Sequence, residues 1–165
     1  MEVAVPAKRR LPIHLAAVAH AMDDGERSHR EHLLDTHTGE LIALPRAALD
    51  AAQDGGPVDT LSEEERAALP QAKAVLRAKL GRFVIVPYRP PPDKYDVMQR
   101  FVASVADPDL RRGLQRALGG QAPFRRFMEV LADDVAEEER WEGYGATVRQ
   151  IEAREWLESL EFEPV

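Results

Sequence analysis

"HREHLLDTHTGELIAL", residues 29–44, sets two short apolar runs on either side of a polar pentad, Asp35-Thr36-His37-Thr38-Gly39. Short apolar runs bounded by turn formers read as strands, and two of them around a glycine-containing loop read as a hairpin. Gly39 suits the left-handed backbone position that such a loop needs. Asp35 is placed to close the turn by accepting from backbone amides. Most of the remaining chain follows a helical period. The hairpin therefore puts the chain in the α+β class: a small antiparallel sheet from about 29–44 and 82–86, with a predominantly helical C-terminal half.

Working outward, "RFVIV" (82–86) is β-branched and aromatic and reads as a buried strand. Before the hairpin, Leu15, Val18 and Met22 recur at helical spacing, predicting a helix from Pro12 that ends at Asp24-Gly25. Residues 1–10, which include Lys8-Arg9-Arg10, show no period. They read as a flexible basic arm, leaving 11–165 as a single α+β domain. After the hairpin, "PRAALDAAQ" predicts a short helix. Ser62 and Glu65 form a capping box for a longer one. Pro70 should break that helix, which resumes through Ala72, Val75, Leu76 and Leu80 until Gly81 stops it. "PYRPPP" (87–92) reads as a rigid extended connector.

Asp93 caps the next helix, with Tyr95, Met98, Phe101, Val102 and Val105 on its apolar face. Asp107-Pro108 opens another, burying Leu110, Leu114, Ala117 and Leu118, and Gly119-Gly120 ends it. In "PFRRFMEVL" (123–131), Phe124, Phe127, Met128, Val130 and Leu131 share one arc. Arg125, Arg126 and Glu129 share the other. Both phenylalanines are thus expected in the core, whereas a nucleic-acid stacking platform needs its rings on the surface. Acidic residues lead the final helical region, and Thr147–Gln150 offers a second capping box. Trp141, Tyr144, Val148, Trp156, Leu157 and Leu160 are expected to pack inward.

The chain has 165 residues, enough for a core without disulfide or metal support, and it has no cysteine. That excludes disulfide frameworks, thiol nucleophiles and cysteine-based zinc sites. Apolar residues at 44% and charged residues at 31% give a globular balance. No apolar run approaches the roughly 18–20 residues of a membrane span. The N-terminal stretch, with His14, His20 and Asp23-Asp24, makes a poor signal peptide, so a cytoplasmic location and no membrane are expected. The net charge of −7 is unevenly distributed. Residues 1–65 hold 6 basic and 13 acidic residues, 66–126 hold 13 and 4, and 127–165 hold 3 and 12.

The basic middle contains the main candidate site. Arg111, Arg112, Arg116, Arg125 and Arg126 fall on the outer faces of two consecutive helices joined by Gly119-Gly120-Gln121. They could hold a phosphate, a nucleic-acid backbone or an acidic partner. Alternatively, they are neutralised by ion pairing with Glu137, Glu138 and Glu139. A weaker candidate is a metal set of His29, His32, Asp35 and His37. In a strand, however, His29 and His32 point to opposite faces. The simpler reading is a polar strand edge and a turn residue, with no metal. No P-loop, dinucleotide fingerprint or HExxH occurs, and Ser28, Ser62, Ser104 and Ser159 lack a nucleophile-elbow context. No cofactor and no catalytic residue are expected.

The order of several pieces adds a resemblance. "LLDTHTGELIAL", "RFVIVP", "DKYDVMQRFVASVADPDLRRGLQRAL", "FRRFMEVL", "RWEGY" and "AREWLESLEFEP" together resemble the bacterial family UPF0158 over roughly residues 11–164. The most specific parts are Leu34-Asp35-Thr36, Thr38-Gly39-Glu40, Phe124-Arg125-Arg126-Phe127, Trp141 with Tyr144, and Glu155-Trp156-Leu157. Tyr144-Gly145-Ala146-Thr147 departs from the charged helical stretch that similar sequences carry there. The resemblance implies the fold and a bacterial, cytoplasmic setting, and it brings no assigned activity. The expectation is a non-enzymatic intracellular interaction or regulatory protein acting through a charged helical surface, with a protein partner or self-association. The alternative is a nucleic-acid or phosphate-binding protein using the face around Arg111–Arg126.

Overall fold

The computed structural model describes residues 7–89 and 93–165. Their elements run β1 (Arg9–Leu11), α1 (Leu15–Met22), β2 (Arg30–Asp35), β3 (Leu41–Pro45), α2 (Arg46–Asp54), α3 (Glu63–Arg77), β4 (Phe83–Ile85), α4 (Lys94–Ser104), α5 (Pro108–Leu118), α6 (Pro123–Leu131), α7 (Val135–Ser159) and β5 (Phe162–Pro164). The chain divides into two compact units, one within residues 1–90 together with 152–165, the other within 91–151.

The first unit is built around the hairpin. β2 is the central strand of an antiparallel sheet ordered β3-β2-β4, with Leu33 opposite Ile42 and Ile85. Successive side chains of a strand point to opposite faces. Leu33 accordingly packs with Leu44, Ala48 and Ala72, facing α2 and α3. Leu34 packs with Val18, Met22, Val86 and Leu157, facing α1 and the end of α7. Covering both faces makes β2 continuously buried from His32 to Asp35. The turn closes as its residues imply. Asp35 accepts from the His37 amide at 2.8 Å, and Gly39 takes φ +80°. A Cβ on Gly39 would stand 3.1 Å from the Pro12 carbonyl oxygen and from Ile13 Cγ1, so the position excludes larger residues.

Several local expectations change. α1 begins at Leu15 rather than Pro12, because the His14 side chain caps it by accepting from the Ala17 amide at 3.1 Å. α3 opens on the expected Ser62–Glu65 box but runs unbroken through Pro70 to Arg77. Packing of Ala68, Leu69, Ala72 and Val75 against the sheet side holds both halves in one helix, so the proline removes a hydrogen bond without ending it. β4 is an edge strand and only half-buried, with Ile85 exposed. Of the expected arm, residues 1–6 lie outside the described residues. Arg9–Leu11 is a strand, paired in parallel with β5 so that Arg9 lies opposite Phe162. The connector expected at 87–92 also falls partly outside the described residues.

The second unit comprises α4, α5, α6 and the first part of α7. Its core is Met98, Phe101, Val102, Val105, Leu114, Leu118, Phe127 and Leu131. Phe101, Phe127 and Trp141 meet edge to face, with centroids 4.9–6.0 Å apart. α7 is a single helix of 25 residues, so Thr147 caps nothing; its hydroxyl donates back to the Gly143 carbonyl at 3.2 Å. Of the residues expected inside, Val148 and Leu157 are buried, while Trp141, Tyr144, Trp156 and Leu160 are partly buried. Phe127 is fully buried, but Phe124 is 44% exposed and Met128 39%. At about 100° per residue the buried arc of α6 centres between Val130 and Leu131, which leaves Phe124 and Met128 on its rim. No helix among the described residues is long and apolar enough to cross a membrane.

Candidate functional site

α5 starts at Asp107, whose carboxylate accepts from the Asp109 amide at 2.9 Å, and Pro108 occupies its first turn. α6 starts after Ala122, which holds a left-handed φ of 48°, with Pro123 in its first turn. The two helices approach closely where α5 carries Gly113: a Cβ there would meet Val130 Cγ1 at 3.4 Å. That approach leaves a shallow open groove of about 390 Å³ lined by Gly113, Arg116, Ala117, Arg126, Glu129 and Val130.

The five candidate arginines have different surroundings. Arg111 is half-buried and donates to the Val105 carbonyl at 3.1 Å, so it ties down the end of α4. Arg112 pairs with Asp109 of its own helix. Arg125 pairs with Glu129 at 3.6 Å, one turn along α6. Arg116 donates only to the Arg112 carbonyl, at 3.5 Å. The Arg126 guanidinium lies against Gly120, where a Cβ would meet Nη1 at 3.0 Å. Among the described residues neither Arg116 nor Arg126 has a carboxylate within ion-pair distance. The structure therefore brings Arg116 and Arg126 together across the groove, and the other three arginines are already engaged. The pairing expected with Glu137, Glu138 and Glu139 is not the one formed. Glu137 binds Arg140 at 2.7 Å, and the guanidinium of Arg140 lies over the Phe101 ring at 4.2 Å.

The outer surface of α6 is consequently mixed. Phe124 and Met128 form an apolar rim, with Lys94 Nζ 5.5 Å from the Phe124 ring centroid. The Arg125–Glu129 pair follows around the helix, and then Arg126 in the groove. The apolar rim is the part that the sequence reading missed. Its signal was the width of the apolar arc, which is more than one buried face can hold.

The structure does not bring the histidine-rich stretch together as a set of metal ligands. Among the described residues no group of three or more His, Cys, Asp or Glu side chains is arranged to hold an ion. His29 and His37 are exposed, while His32 is buried with Nε2 2.7 Å from an Asp24 carboxylate oxygen. Asp24 also accepts from the Arg30 side chain and, at 3.0 Å, from the Glu26 amide. The Arg30 and His32 hydrogen bonds hold its carboxyl well below the usual carboxylate range. Burial pushes Asp35 upward, but hydrogen bonds from Arg82 and the His37 amide outweigh that and lower it overall. Beside them, buried Arg27 donates to the Ala21 and Val86 carbonyls and to Glu31, which also binds Arg46 at 2.7 Å. These partners give the polar stretch a structural use: it ties α1, β2, the start of α2 and the residue after β4 together.

Compared with known proteins, residues 9–165 match the model of an "Uncharacterised protein family (UPF0158)". No curated protein and no solved structure matches the chain.

Proposed function

The chain belongs to the uncharacterised protein family UPF0158, and for this member we propose a non-enzymatic, cytoplasmic interaction protein whose α5–α6 face docks another protein. One observation carries the reading: Phe124 and Met128 are exposed on the same helix as Arg126, and Arg126 and Arg116 lack carboxylate partners among the described residues. Aromatic residues, methionine and arginine are the types enriched where proteins meet. An exposed phenylalanine offers an apolar anchor, and two unpaired guanidinium groups offer a carboxylate of the partner a charge-assisted bond. The same surface suits nucleic acid less well. Glu129 stands in the groove and Asp109 pairs with Arg112, so few net positive charges face outward. Backbone binding draws its affinity from unopposed cations.

The test is affinity capture from the native cell with the full chain and two variants, Arg116→Glu/Arg126→Glu and Phe124→Ala/Met128→Ala. A specific partner retained by the wild type and lost by both variants supports the reading. Far-UV circular dichroism should show both variants folded, since all four side chains are exposed. If every retained protein also binds both variants, this face is not the docking surface.

A further inference from the structure

A second charged surface lies in the other unit. Between Glu65 and Asp93 the sequence has no acidic residue and six basic ones: Arg66, Lys73, Arg77, Lys79, Arg82 and Arg89. Only Arg82 forms an ion pair among the described residues, with Asp35 at 3.1 Å. Arg66, Lys73 and Arg77 are all exposed on α3. At about 100° per residue, their spacing of seven and then four residues places all three within an arc of about 40°. Together with Leu69, Pro70 and Ala74 they line one shallow groove of about 500 Å³. The opposite side of the helix, at Ala72 and Val75, packs against the sheet, so the stripe is held facing solvent.

We infer that the Arg66–Lys73–Arg77 stripe of α3 binds the phosphodiester backbone of a nucleic acid. At about 1.5 Å of rise per residue the three cations span roughly 16 Å, a length over which one strand of a duplex carries about five phosphates. Pro70 and Ala74 lie between them and Leu69 and Leu76 flank them, with Leu69 half-buried against the sheet side, so the face between the cations is small and flat. A phosphate backbone needs no apolar anchor, because binding comes from neutralised charge and released counterions. The chain's net charge of −7 opposes polyanions at long range. At about 0.1 M salt the Debye length is about 10 Å, which screens the stripe from carboxylates further away. Contacts of this kind read no sequence, and the site accepts any strand that presents evenly spaced phosphates.

The experiment is fluorescence anisotropy of the full chain with a labelled 20-base-pair DNA duplex, a labelled 20-nucleotide single-stranded RNA and a labelled polyglutamate peptide. Three phosphate contacts on a duplex predict a slope of log K against log salt near −2.7, or roughly 40-fold weaker binding between about 50 and 200 mM salt. Arg66→Gln/Lys73→Gln/Arg77→Gln should weaken binding at least tenfold at the lower salt. Lys73→Gln alone should lower the slope by about one, and Arg66→Lys/Arg77→Lys should keep it. Arg116→Gln/Arg126→Gln should leave nucleic-acid binding unchanged, which separates this site from the α5–α6 face. Binding to either nucleic acid with this variant pattern supports the inference, and the two probes show which strand form is preferred. It is overturned if neither nucleic acid binds at low salt, if the triple variant binds within twofold of wild type, or if polyglutamate binds more tightly than both.

Discussion

Phe127→Ala and Phe124→Ala remove the same side chain from one helix three residues apart, and the structure assigns them different costs. Phe127 is fully buried, with its ring edge to face with Phe101 at 6.0 Å and Trp141 at 4.9 Å. Truncation there loses the transfer energy, leaves a cavity and breaks two aromatic contacts, for a total of about 3–5 kcal/mol. Phe124 is 44% exposed, so it keeps about half of a full burial, roughly 1 kcal/mol. Its contact with Lys94 adds about 0.5–1 kcal/mol. The gap between the two variants should therefore be about 1–3.5 kcal/mol, and a gap of about 2 kcal/mol changes the folding equilibrium by a factor of roughly 30. Urea unfolding followed by far-UV circular dichroism and by tryptophan fluorescence measures it. Equal costs, or a larger cost at Phe124, would refute the helix phase assigned to α6. The proposed docking anchor would then be core.

Pro70→Ala should stabilise the protein by about 2 kcal/mol, because α3 runs through Pro70 and alanine restores an amide donor there, offset slightly by a freer unfolded chain; thermal unfolding with no gain would show that the helix does not depend on that bond. Gly39→Ala should cost at least about 1–2 kcal/mol, from the left-handed backbone together with the 3.1 Å approach to the Pro12 carbonyl, as read by chemical denaturation. Asp24→Asn should cost about 1–3 kcal/mol near neutral pH, since His32 is left buried with a weaker partner. The folded carboxyl of Asp24 lies below its ordinary value of 3.8, so its contribution is full above about pH 4 and fades as pH falls further. The difference between wild type and Asp24→Asn should accordingly shrink in acid; a difference independent of pH would exclude the ionised carboxylate as its source.

The elements that sequence reading identified are those specified by local chemistry. The hairpin follows from Asp35 and Gly39, and the Ser62–Glu65 box and the Asp93 and Asp107 caps each act within three residues of themselves. What escaped depends on partners far away in the chain. Arg9–Leu11 has no period of its own and becomes a strand only because Phe162–Pro164 pairs with it, some 150 residues later. Pro70 is a helix breaker by propensity, and only the packing of Ala68, Leu69, Ala72 and Val75 overrides it. Thr147 and Gln150 have the spacing of a cap, but the helix on both sides is continuous, so the hydroxyl bonds to Gly143 instead.

The candidate sites were legible as charge and illegible as geometry, for one physical reason. A run of arginines announces a basic surface, but whether each guanidinium is free depends on a carboxylate one turn away or on how closely two helices approach. Arg125 is opposed by Glu129, four residues on, a pairing the sequence already contained; the expectation had looked to Glu137–Glu139 instead. The width of the apolar arc of α6 signals that part of it must be exposed, but not which part. Gly113 lets α5 come close to Val130 and draws that side of α6 inward, which turns Phe124 and Met128 to the rim. On α3 the converse holds. No acidic residue occurs from 66 to 92, so Lys73 and Arg77 have no carboxylate one turn away, and Arg66, with Glu63 three residues before it, forms no ion pair among the described residues. A stripe of unopposed cations was therefore implicit in the sequence once the helix was known to continue through Pro70. A break there would have turned Lys73 and Arg77 away from Arg66, and the expectation of that break concealed the surface.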